Sequence, residues 1–211
     1  MTASTARKTT VLLADDHPIV RDGLAAIINL QSDLTVIAEA GDGETAIALF
    51  EEKQPDVVVL DLRMPKADGL TVVQRLIARY PEIRILIMTT YDGDEDIFQC
   101  LRAGARGYLL KDAPRQEILS AIRAVADGGQ YTSHSVAAKA LQRMARPSLT
   151  HREIEVLVQL SQGRSNKDIA RRLNITEGTA KTHVKSILTK LDAISRTEAV
   201  AIAHQRGLIH L

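Results

Sequence analysis

The sequence predicts a doubly wound α/β domain with a five-stranded parallel sheet, followed by a small all-α domain. The first observation is that five short apolar runs alternate with helix-length amphipathic segments over residues 1–126. Strands that are buried on both faces give such near-continuous apolar runs, and this alternation is typical of a parallel sheet covered by helices. The second observation is that only helical patterns remain from residue 150 onward. Because crossovers between parallel strands are right-handed, we expect helices on both faces of the sheet.

The predicted strands of the α/β domain are residues 10–14, 34–40, 57–60, 84–89 and 107–110. The segments between them carry apolar residues at three- and four-residue spacing, as at Val20, Leu24 and Ile27 in the first helix. The boundary residues agree with this pattern. Pro18 and Pro114 suit the start of a helix, and Asp68 suits an N-cap.

The alternation of apolar runs and amphipathic segments ends after residue 126. Gly128 and Gly129 end the last helix of the α/β domain, a short helix is expected over residues 136–144, and residues 146–148 are typical of a linker. Further helices are expected near residues 150–161, 166–173, 177–191 and 196–204. The chain is therefore predicted to consist of an α/β domain (1–126), a linker with a short helix (127–147) and an all-α domain (148–211).

Composition and charge narrow the class of protein. Of the 211 residues, 45% are hydrophobic and 25% are charged, which is ordinary for a globular protein, and the single cysteine excludes an internal disulfide. No apolar run is long enough to span a bilayer and no signal-peptide pattern follows Arg7 and Lys8, so we expect a cytoplasmic protein with no membrane partner. Residues 148–211 hold ten Lys and Arg against six Asp and Glu, whereas residues 1–126 hold fourteen against nineteen. A basic tail domain is a weak indication of nucleic-acid binding.

Polar side chains gather at the predicted carboxyl ends of the strands, where ligands bind in doubly wound sheets. They are Asp15 and Asp16 after the first strand, Asp61 after the third, Thr89 and Thr90 after the fourth, and Lys111 after the fifth. Each Asp alone could simply cap a helix, but the full set predicts a Mg²⁺ site beside a phosphoryl group. His17 is interpreted as an exposed residue at a helix start, and Cys100 as a packing residue.

These motifs resemble the receiver domain of two-component response regulators, which has a flavodoxin-like fold. The resemblance covers residues 9–126 and rests on residues 14–18 (ADDHP), 57–65 (VVVLDLRMP), 88–89 (MT) and 107–112 (GYLLKD). It implies that Asp61 accepts a phosphoryl group from a cognate sensor histidine kinase. It also implies that Asp16, Asp61 and the backbone carbonyl of Arg63 bind Mg²⁺ directly, and that Asp15 does so through water. Thr89 would be the switch hydroxyl, with Thr90 as the alternative, while Lys111 would pair with the phosphate and Tyr108 would change rotamer.

Three other functions fit the sequence less well. A constitutive DNA-binding protein with an idle receiver disagrees with the intact acidic set, and a pure phosphate relay disagrees with the helical tail. Phosphatases with an aspartyl-phosphate intermediate usually carry a second Asp two residues after the nucleophile, where this chain has Arg63. We therefore expect no enzyme acting on external substrates, and only the receiver's own phosphotransfer and autodephosphorylation.

The segment of residues 166–190 has the layout of a helix-turn-helix. Residues 174–176 form the predicted turn, with Ser165 and Thr176 as N-caps, and the second helix carries a basic outer face. Charge alone favours an ordinary solvated helix over a DNA-binding one. Further motifs lie at residues 149–150 (LT), 152–153 (RE), 163–169 (GRSNKDI), 176–184 (TEGTAKTHV) and 190–191 (KL). With these motifs, the segment of residues 148–211 resembles the LuxR-type DNA-binding domain, and the two domains together resemble the NarL/FixJ group.

This second resemblance implies roles for individual side chains on double-stranded DNA. Lys181, Thr182 and Lys185 would face the bases. The turn formed by Ser165, Asn166 and Lys167, together with Lys190, would contact phosphates. The last helix of the family commonly forms a dimer contact, so a homodimer that reads two promoter half-sites is expected on phosphorylation. By the same resemblance, the linker of residues 127–147 would carry the change from a masked to an active form.

Overall fold

A computed structural model describes residues 7–91, 93–144 and 147–209 of the chain. The chain divides into two compact units. Over the described residues, the N-terminal unit comprises residues 7–91 and 97–137, and the C-terminal unit comprises residues 93–96, 138–144 and 147–209. Among the described residues, no helix combines the length and apolar character that crossing a membrane requires.

The N-terminal unit alternates strands and helices from its first strand onward. Its strands are β1 (Thr9–Ala14), β2 (Leu34–Ala40), β3 (Val57–Leu60), β4 (Ile85–Thr89), β5 (Gly107–Leu110) and β6 (Tyr131–Thr132). Its helices are α1 (Pro18–Asn29), α2 (Gly43–Lys53), α3 (Gly69–Arg79), α4 (Asp94–Arg102), whose first turn is grouped with the C-terminal unit, and α5 (Arg115–Ala126). The predicted alternation of strand and helix is confirmed.

The strands form one parallel sheet in the order β2-β1-β3-β4-β5-β6. The α/β fold class predicted from the sequence is confirmed, but the sheet has six strands where five were expected. The sixth strand lies in the segment predicted as linker. Tyr131 pairs with Gly107, and its backbone N–H donates to the Arg106 carbonyl at 3.0 Å. Two residues are too few to leave a pattern in the sequence, and this strand forms because the edge of β5 offers unpaired backbone groups.

The order of the strands determines where the candidate site lies. Helices α1 and α5 pack on one face of the sheet, against alternate residues such as Val11 and Leu13 of β1 and Val57 and Val59 of β3. All these strand residues are buried, which explains the apolar runs in the sequence. Since β1 and β3 are neighbours and parallel, their carboxyl ends lie side by side at one edge of the sheet.

The C-terminal unit is helical over its described residues from 138 onward. The helices are α6 (His134–Met144), which begins in the N-terminal unit, α7 (His151–Ser161), α8 (Asn166–Leu173), α9 (Glu177–Leu191) and α10 (Arg196–Gln205). Residues from α7 to α10, with Ile209, form one apolar core. The helices predicted from residue 150 onward are confirmed to within one residue at each end, while α6 begins two residues earlier than expected.

Local capping explains why these helices begin where the sequence predicts. The side chains of Thr150, Ser165, Thr176 and Ser195 each accept a hydrogen bond from the backbone N–H three residues later. Asn174 ends α8 in the left-handed conformation, with φ of 52°, and so turns the chain into α9. The predicted boundaries between the domains, at residues 126 and 147, stay a prediction, and Arg146 of the expected linker lies outside the described residues.

Candidate phosphoacceptor site and nucleic-acid interface

Backbone hydrogen bonds bring two acidic strand ends together. Asp61, directly after β3, donates its backbone N–H to the carbonyl of Ala14 at 2.8 Å. Asp15, directly after β1, donates its own N–H to the carbonyl of Ala40 at 3.0 Å. Both carboxylates are buried, with residue exposures of 3% for Asp15 and 4% for Asp61. The sheet thus fixes two buried negative charges at its carboxyl edge.

Lys111 bridges these two carboxylates. Its Nζ lies 2.7 Å from Oδ2 of Asp15 and 2.7 Å from Oδ2 of Asp61. Burial lowers the pKa of the Lys111 ammonium, but its hydrogen bonds to Asp15 and Asp61 outweigh burial and raise that pKa above its ordinary 10.5. The lysine is therefore a permanent cation that compensates part of the buried negative charge.

Asp16 and His17 complete a cluster of possible metal ligands. One ligand atom from each of Asp15, Asp16, His17 and Asp61 lies within 4.8 Å of the others. Oδ1 of Asp16 is buried from solvent, and no described residue gives it a hydrogen bond of acceptable geometry. A buried carboxylate oxygen without a donor is costly unless a cation compensates it. The cluster therefore fits a hard divalent cation bound by oxygen ligands.

The loop from β3 to α3 turns tightly around Asp61. Oδ1 of Asp61 accepts a hydrogen bond from the backbone N–H of Leu62 at 2.7 Å. The backbone N–H of Gly69 donates to the Leu62 carbonyl at 2.8 Å, and a Cβ added at Gly69 would lie 2.4 Å from the Asp61 carbonyl oxygen. Arg63 lies in this loop, and its guanidinium carbon stands 4.9 Å from the centre of the Tyr91 ring.

Two residues to which sequence analysis assigned no role help to position the acidic edge, that is, the carboxyl ends of β1 and β3 with Asp15, Asp16 and Asp61. Gly69 permits the close approach of α3 to Asp61, and the signal was the Asp68-Gly69 pair before an apolar helix. Arg21, on α1, donates from its guanidinium to the Asp15 carbonyl oxygen at 2.6 Å. A side chain that reaches back to the backbone six residues earlier leaves no pattern in the sequence, so the sequence alone does not indicate this role of Arg21.

The predicted switch residues are buried at the ends of β4 and β5. Thr89 has no exposed surface, and its Oγ1 accepts a hydrogen bond from the backbone N–H of Tyr91 at 3.3 Å. Thr90 is exposed, which favours Thr89 between the two candidates. Tyr108 is fully buried, and its hydroxyl donates to the Tyr91 carbonyl at 2.7 Å. Thr89 and Tyr108 therefore both bond to the backbone of Tyr91.

The candidate nucleic-acid interface is the outer side of α9. Lys181, Thr182 and Lys185 are exposed, while Ala180, Val184 and Ile187 face the core. The Lys181 ammonium pairs with Glu177 at 3.0 Å, and the Thr182 hydroxyl donates to the Gly178 carbonyl at 3.1 Å. Such surface pairs are weak, so both side chains can exchange these partners for another polar surface.

The N-terminus of α8 carries the predicted phosphate contacts. Ser165 caps the helix and its hydroxyl also donates to Asp168 at 2.5 Å, which holds the pKa of that carboxyl below its usual range. Lys167 is exposed. The Asn166 side-chain oxygen accepts a hydrogen bond from Arg196 at 2.5 Å. The exposed N–H groups of a first helical turn are suited to an anion such as a DNA phosphate.

Lys190 differs from the other lysines predicted to contact DNA because its side chain is mostly buried. Its Nζ lies 2.7 Å from Oε2 of Glu153, and the Lys190 side chain is only 24% exposed. Glu153 also accepts a hydrogen bond from Ser186 at 2.6 Å and one from the backbone N–H of Thr150 at 2.6 Å. Lys190 is thus part of a buried network that joins α7 to α9, a role that sequence analysis did not foresee.

Two family models of known proteins match separate parts of the chain. The family model of the response regulator receiver domain matches residues 11–123. The family model of the bacterial regulatory proteins of the luxR family matches residues 147–203. These two matches cover the acidic edge of the sheet and the helix-turn-helix, respectively.

Individual relatives match over nearly the whole chain. The uncharacterized transcriptional regulatory protein YxjL of Bacillus subtilis (strain 168) is 42% identical, with 96% of this chain and 98% of that protein covered. The crystal structure of the response regulator ChrA, from a heme-sensing two-component system, is 43% identical with a TM-score of 0.58, and covers 97% of this chain and 100% of its own. The structure of the two-component response regulator RcsB in complex with DNA is 25% identical with a TM-score of 0.71, and covers 94% of this chain and 99% of its own.

Proposed function

Because this chain belongs to the two-component response regulators that join a receiver domain to a LuxR-type DNA-binding domain, we propose that phosphorylation of Asp61 by a cognate sensor histidine kinase controls its binding to promoter DNA. The observation that carries this proposal is the Lys111 bridge. One buried ammonium contacts the carboxylates of both Asp15 and Asp61 at 2.7 Å, at the carboxyl edge of a parallel sheet.

Asp61 is the proposed nucleophile. A carboxylate oxygen of Asp61 forms a bond to phosphorus, while the bond between phosphorus and the nitrogen of the donor phosphohistidine breaks and the imidazole leaves. Phosphoryl transfer depends mainly on positioning and on compensation of negative charge. Lys111 supplies one fixed cation for this purpose, and Leu62 orients the carboxylate through its backbone N–H. Slow hydrolysis of the acyl phosphate by the receiver itself would return the protein to its first state.

Mg²⁺ is the proposed cofactor. Asp16, Asp61 and the backbone carbonyl of Arg63 would hold the ion, and Asp15 would hold it through water. The donor set supports this assignment, since the ligand atoms of the acidic cluster lie within 4.8 Å of one another and Oδ1 of Asp16 lacks a hydrogen-bond donor among the described residues. When bound, the ion would neutralise charge on the transferred phosphoryl group.

Thr89 and Tyr108 are the proposed switch. A phosphoryl group on Asp61 would draw the Thr89 hydroxyl away from the backbone N–H of Tyr91, to which it now bonds. The Tyr108 hydroxyl bonds to the carbonyl of the same residue, so a shift of Tyr91 would change both contacts. Two alternative arrangements of these buried groups, biased by one local charge, make a two-state element.

The C-terminal helix-turn-helix is the proposed output. Lys181, Thr182 and Lys185 would read base edges in the major groove, and Ser165, Asn166 and Lys167 would contact phosphates. The RcsB structure, which is bound to DNA, supports this proposal. We expect Lys190 to contribute to phosphate binding only through the electrostatic field, since its ammonium is paired with Glu153.

The remaining partners follow from the same proposal. A homodimer formed on phosphorylation would present two helix-turn-helix motifs to two half-sites about one helical turn apart, or a multiple of that distance. The cytoplasm is the proposed location, because both the promoter and the ATP-dependent kinase that supplies phosphate act there.

Phosphopeptide mass spectrometry tests this proposal. The full chain is incubated with Mg²⁺ and a small-molecule phosphodonor, beside the Asp61→Asn variant and a sample in which chelator replaces Mg²⁺. We expect a labile phosphoryl adduct on the peptide that contains Asp61, absent from both controls. An adduct that persists in Asp61→Asn, or one that forms equally with chelator, would contradict the assigned nucleophile or the assigned cofactor, respectively.

A further inference from the structure

His17 is exposed at the start of α1, as predicted, and it also lies beside the cluster of Asp15, Asp16 and Asp61. Its Nδ1 is 2.7 Å from Oδ1 of Asp16 and 3.5 Å from Oδ1 of Asp15. It also lies within 4.8 Å of a carboxylate oxygen of Asp61. No described cation contacts Asp16 from another direction, so the imidazole is the group that faces this carboxylate.

The backbone of His17 is anchored to the acidic cluster. His17 is the N-cap of α1, with φ of −93° and ψ of 105°, and its N–H donates to Oδ1 of Asp15 at 2.9 Å. Pro18 follows at the first position of the helix, where its ring restricts the backbone further. The side chain is 68% exposed, so it is held at the rim of the cluster by its backbone and not by packing.

The contact between His17 and Asp16 is short but does not have the geometry of a hydrogen bond, because Oδ1 of Asp16 remains without a donor. An imidazole nitrogen that carries no proton and a carboxylate oxygen repel each other at this distance, and a cation bound to both atoms removes that repulsion. In an octahedral site with bonds of about 2.1 Å, adjacent ligands stand about 3 Å apart. The observed 2.7 Å is therefore close to the spacing of two neighbouring ligands of one ion.

We propose that His17 supplies a nitrogen ligand to this site, so that the site binds a first-row transition cation such as Mn²⁺ through its oxygen ligands and one imidazole, in addition to Mg²⁺ through oxygen ligands alone. This inference rests on the proposed function, since it adds a ligand to the same metal site. Imidazole suits transition cations, whereas Mg²⁺ prefers oxygen. His17 thus widens the range of cations with which the receiver works.

Electron spin-echo envelope modulation of bound Mn²⁺ tests the inference directly, since it detects nitrogen nuclei that are coordinated to the metal. The probe is Mn²⁺ alone, added below stoichiometry to the untagged full chain. The wild type should show modulation from one imidazole nitrogen, which shifts when the chain carries ¹⁵N-labelled histidine. The His17→Ala variant should bind Mn²⁺ without this modulation.

A matched control is His151→Ala, because His151 is also exposed and lies 3.5 Å from a carboxylate, that of Glu155. This variant should keep the wild-type modulation.

Calorimetry supplies a second readout. Even loss of an outer-shell partner lowers metal affinity roughly 10–100-fold, so His17→Ala should lower the affinity for Mn²⁺ at least about tenfold. The affinity for Mg²⁺ should stay within about threefold, because oxygen ligands alone hold that ion.

The outcomes separate this inference from the proposed function. In one outcome, the wild type binds Mn²⁺ and Asp61→Asn does not, but the bound Mn²⁺ shows no imidazole modulation. This result would overturn the nitrogen ligand and leave the proposed metal site intact. Equal Mn²⁺ affinity in the wild type and His17→Ala would overturn it as well. Failure of both Mn²⁺ and Mg²⁺ to bind the wild type would overturn the metal site and the ligand together.

Discussion

Replacement of Glu153 by Gln is expected to destabilise the helix-turn-helix unit strongly. Glu153 is 4% exposed, and its carboxylate accepts hydrogen bonds from Lys190, from Ser186 and from the backbone of Thr150. Burial alone would raise the pKa of this carboxyl, but these partners lower it from 4.5 to about 2. Such a fall corresponds to about 3 kcal/mol of stability at neutral pH, because each pKa unit equals about 1.4 kcal/mol.

The pH dependence of this contribution has a definite sign. The pKa of Glu153 in the folded state lies below its ordinary value, so the charged carboxylate stabilises the fold at every pH above about 4.5. The contribution is lost as the pH falls from about 4.5 to about 2, where the folded protein also takes up the proton. The difference in stability between the wild type and Glu153→Gln should therefore shrink over this window.

Hydrogen exchange is the suitable assay. All four tyrosines lie at or before residue 131 and the chain has no tryptophan, so intrinsic fluorescence does not report on α7 to α10. Core amides of α7 and α9 that exchange only through unfolding should exchange about a hundredfold faster in Glu153→Gln, since about 3 kcal/mol changes an equilibrium by that factor. Amides of the sheet should not change.

Glu155→Gln is the matched control on the same helix. Glu155 is half-exposed and pairs with Arg152 and His151 at the surface, where solvent screens the interaction, so its loss should change exchange little. Equal exchange rates in the two variants would refute the argument that burial and three hydrogen-bond donors make Glu153 a stabilising charge.

Further predictions concern the receiver fold and the DNA contacts. Gly43→Ala should lower the stability of the receiver by about 1–3 kcal/mol, because the new Cβ would lie 2.1 Å from the Ala67 carbonyl oxygen, and thermal unfolding followed by tyrosine absorbance measures this loss. The matched Gly23→Ala, in the exposed middle of α1 with nothing within 4 Å, should instead raise stability by about 0.5–1 kcal/mol. Lys185→Ala should relax sequence preference in binding to DNA, whereas Lys190→Ala should weaken binding to all sequences alike, and equal losses on specific and random DNA for both variants would contradict these roles. Lys190→Ala should also speed amide exchange in α7 and α9, because it leaves the buried Glu153 carboxylate without its cation.

Much of the fold could be predicted because its signals are local. Strands such as β3 and β4 are buried on both faces and so appear as continuous apolar runs. The N-caps at Ser165 and Thr176 depend on residues three positions apart. The polar residues of the acidic edge could be grouped before their distances were known, because parallel strands end at a common edge.

The features that escaped prediction depend on contacts between distant parts of the chain. The strand β6 is two residues long and exists only because β5 has a free edge. The ion pair of Lys190 with Glu153 joins residues 37 positions apart, and from charge alone Lys190 is indistinguishable from the exposed lysines of α9. The approach of His17 to Asp16 depends on a side-chain orientation that the residue types do not specify.

The central claim is that a phosphoryl group on Asp61 changes the affinity of the helix-turn-helix for DNA. The most direct test is fluorescence anisotropy at fixed salt, with a duplex selected from random DNA by the phosphorylated full chain, in the presence and absence of phosphodonor and Mg²⁺. Couplings between two sites commonly amount to 5–150-fold, so phosphorylation should strengthen binding by about tenfold or more in the wild type and leave Asp61→Asn unchanged. Equal affinity with and without a phosphoryl group on Asp61, verified by mass spectrometry in the same sample, would contradict the account.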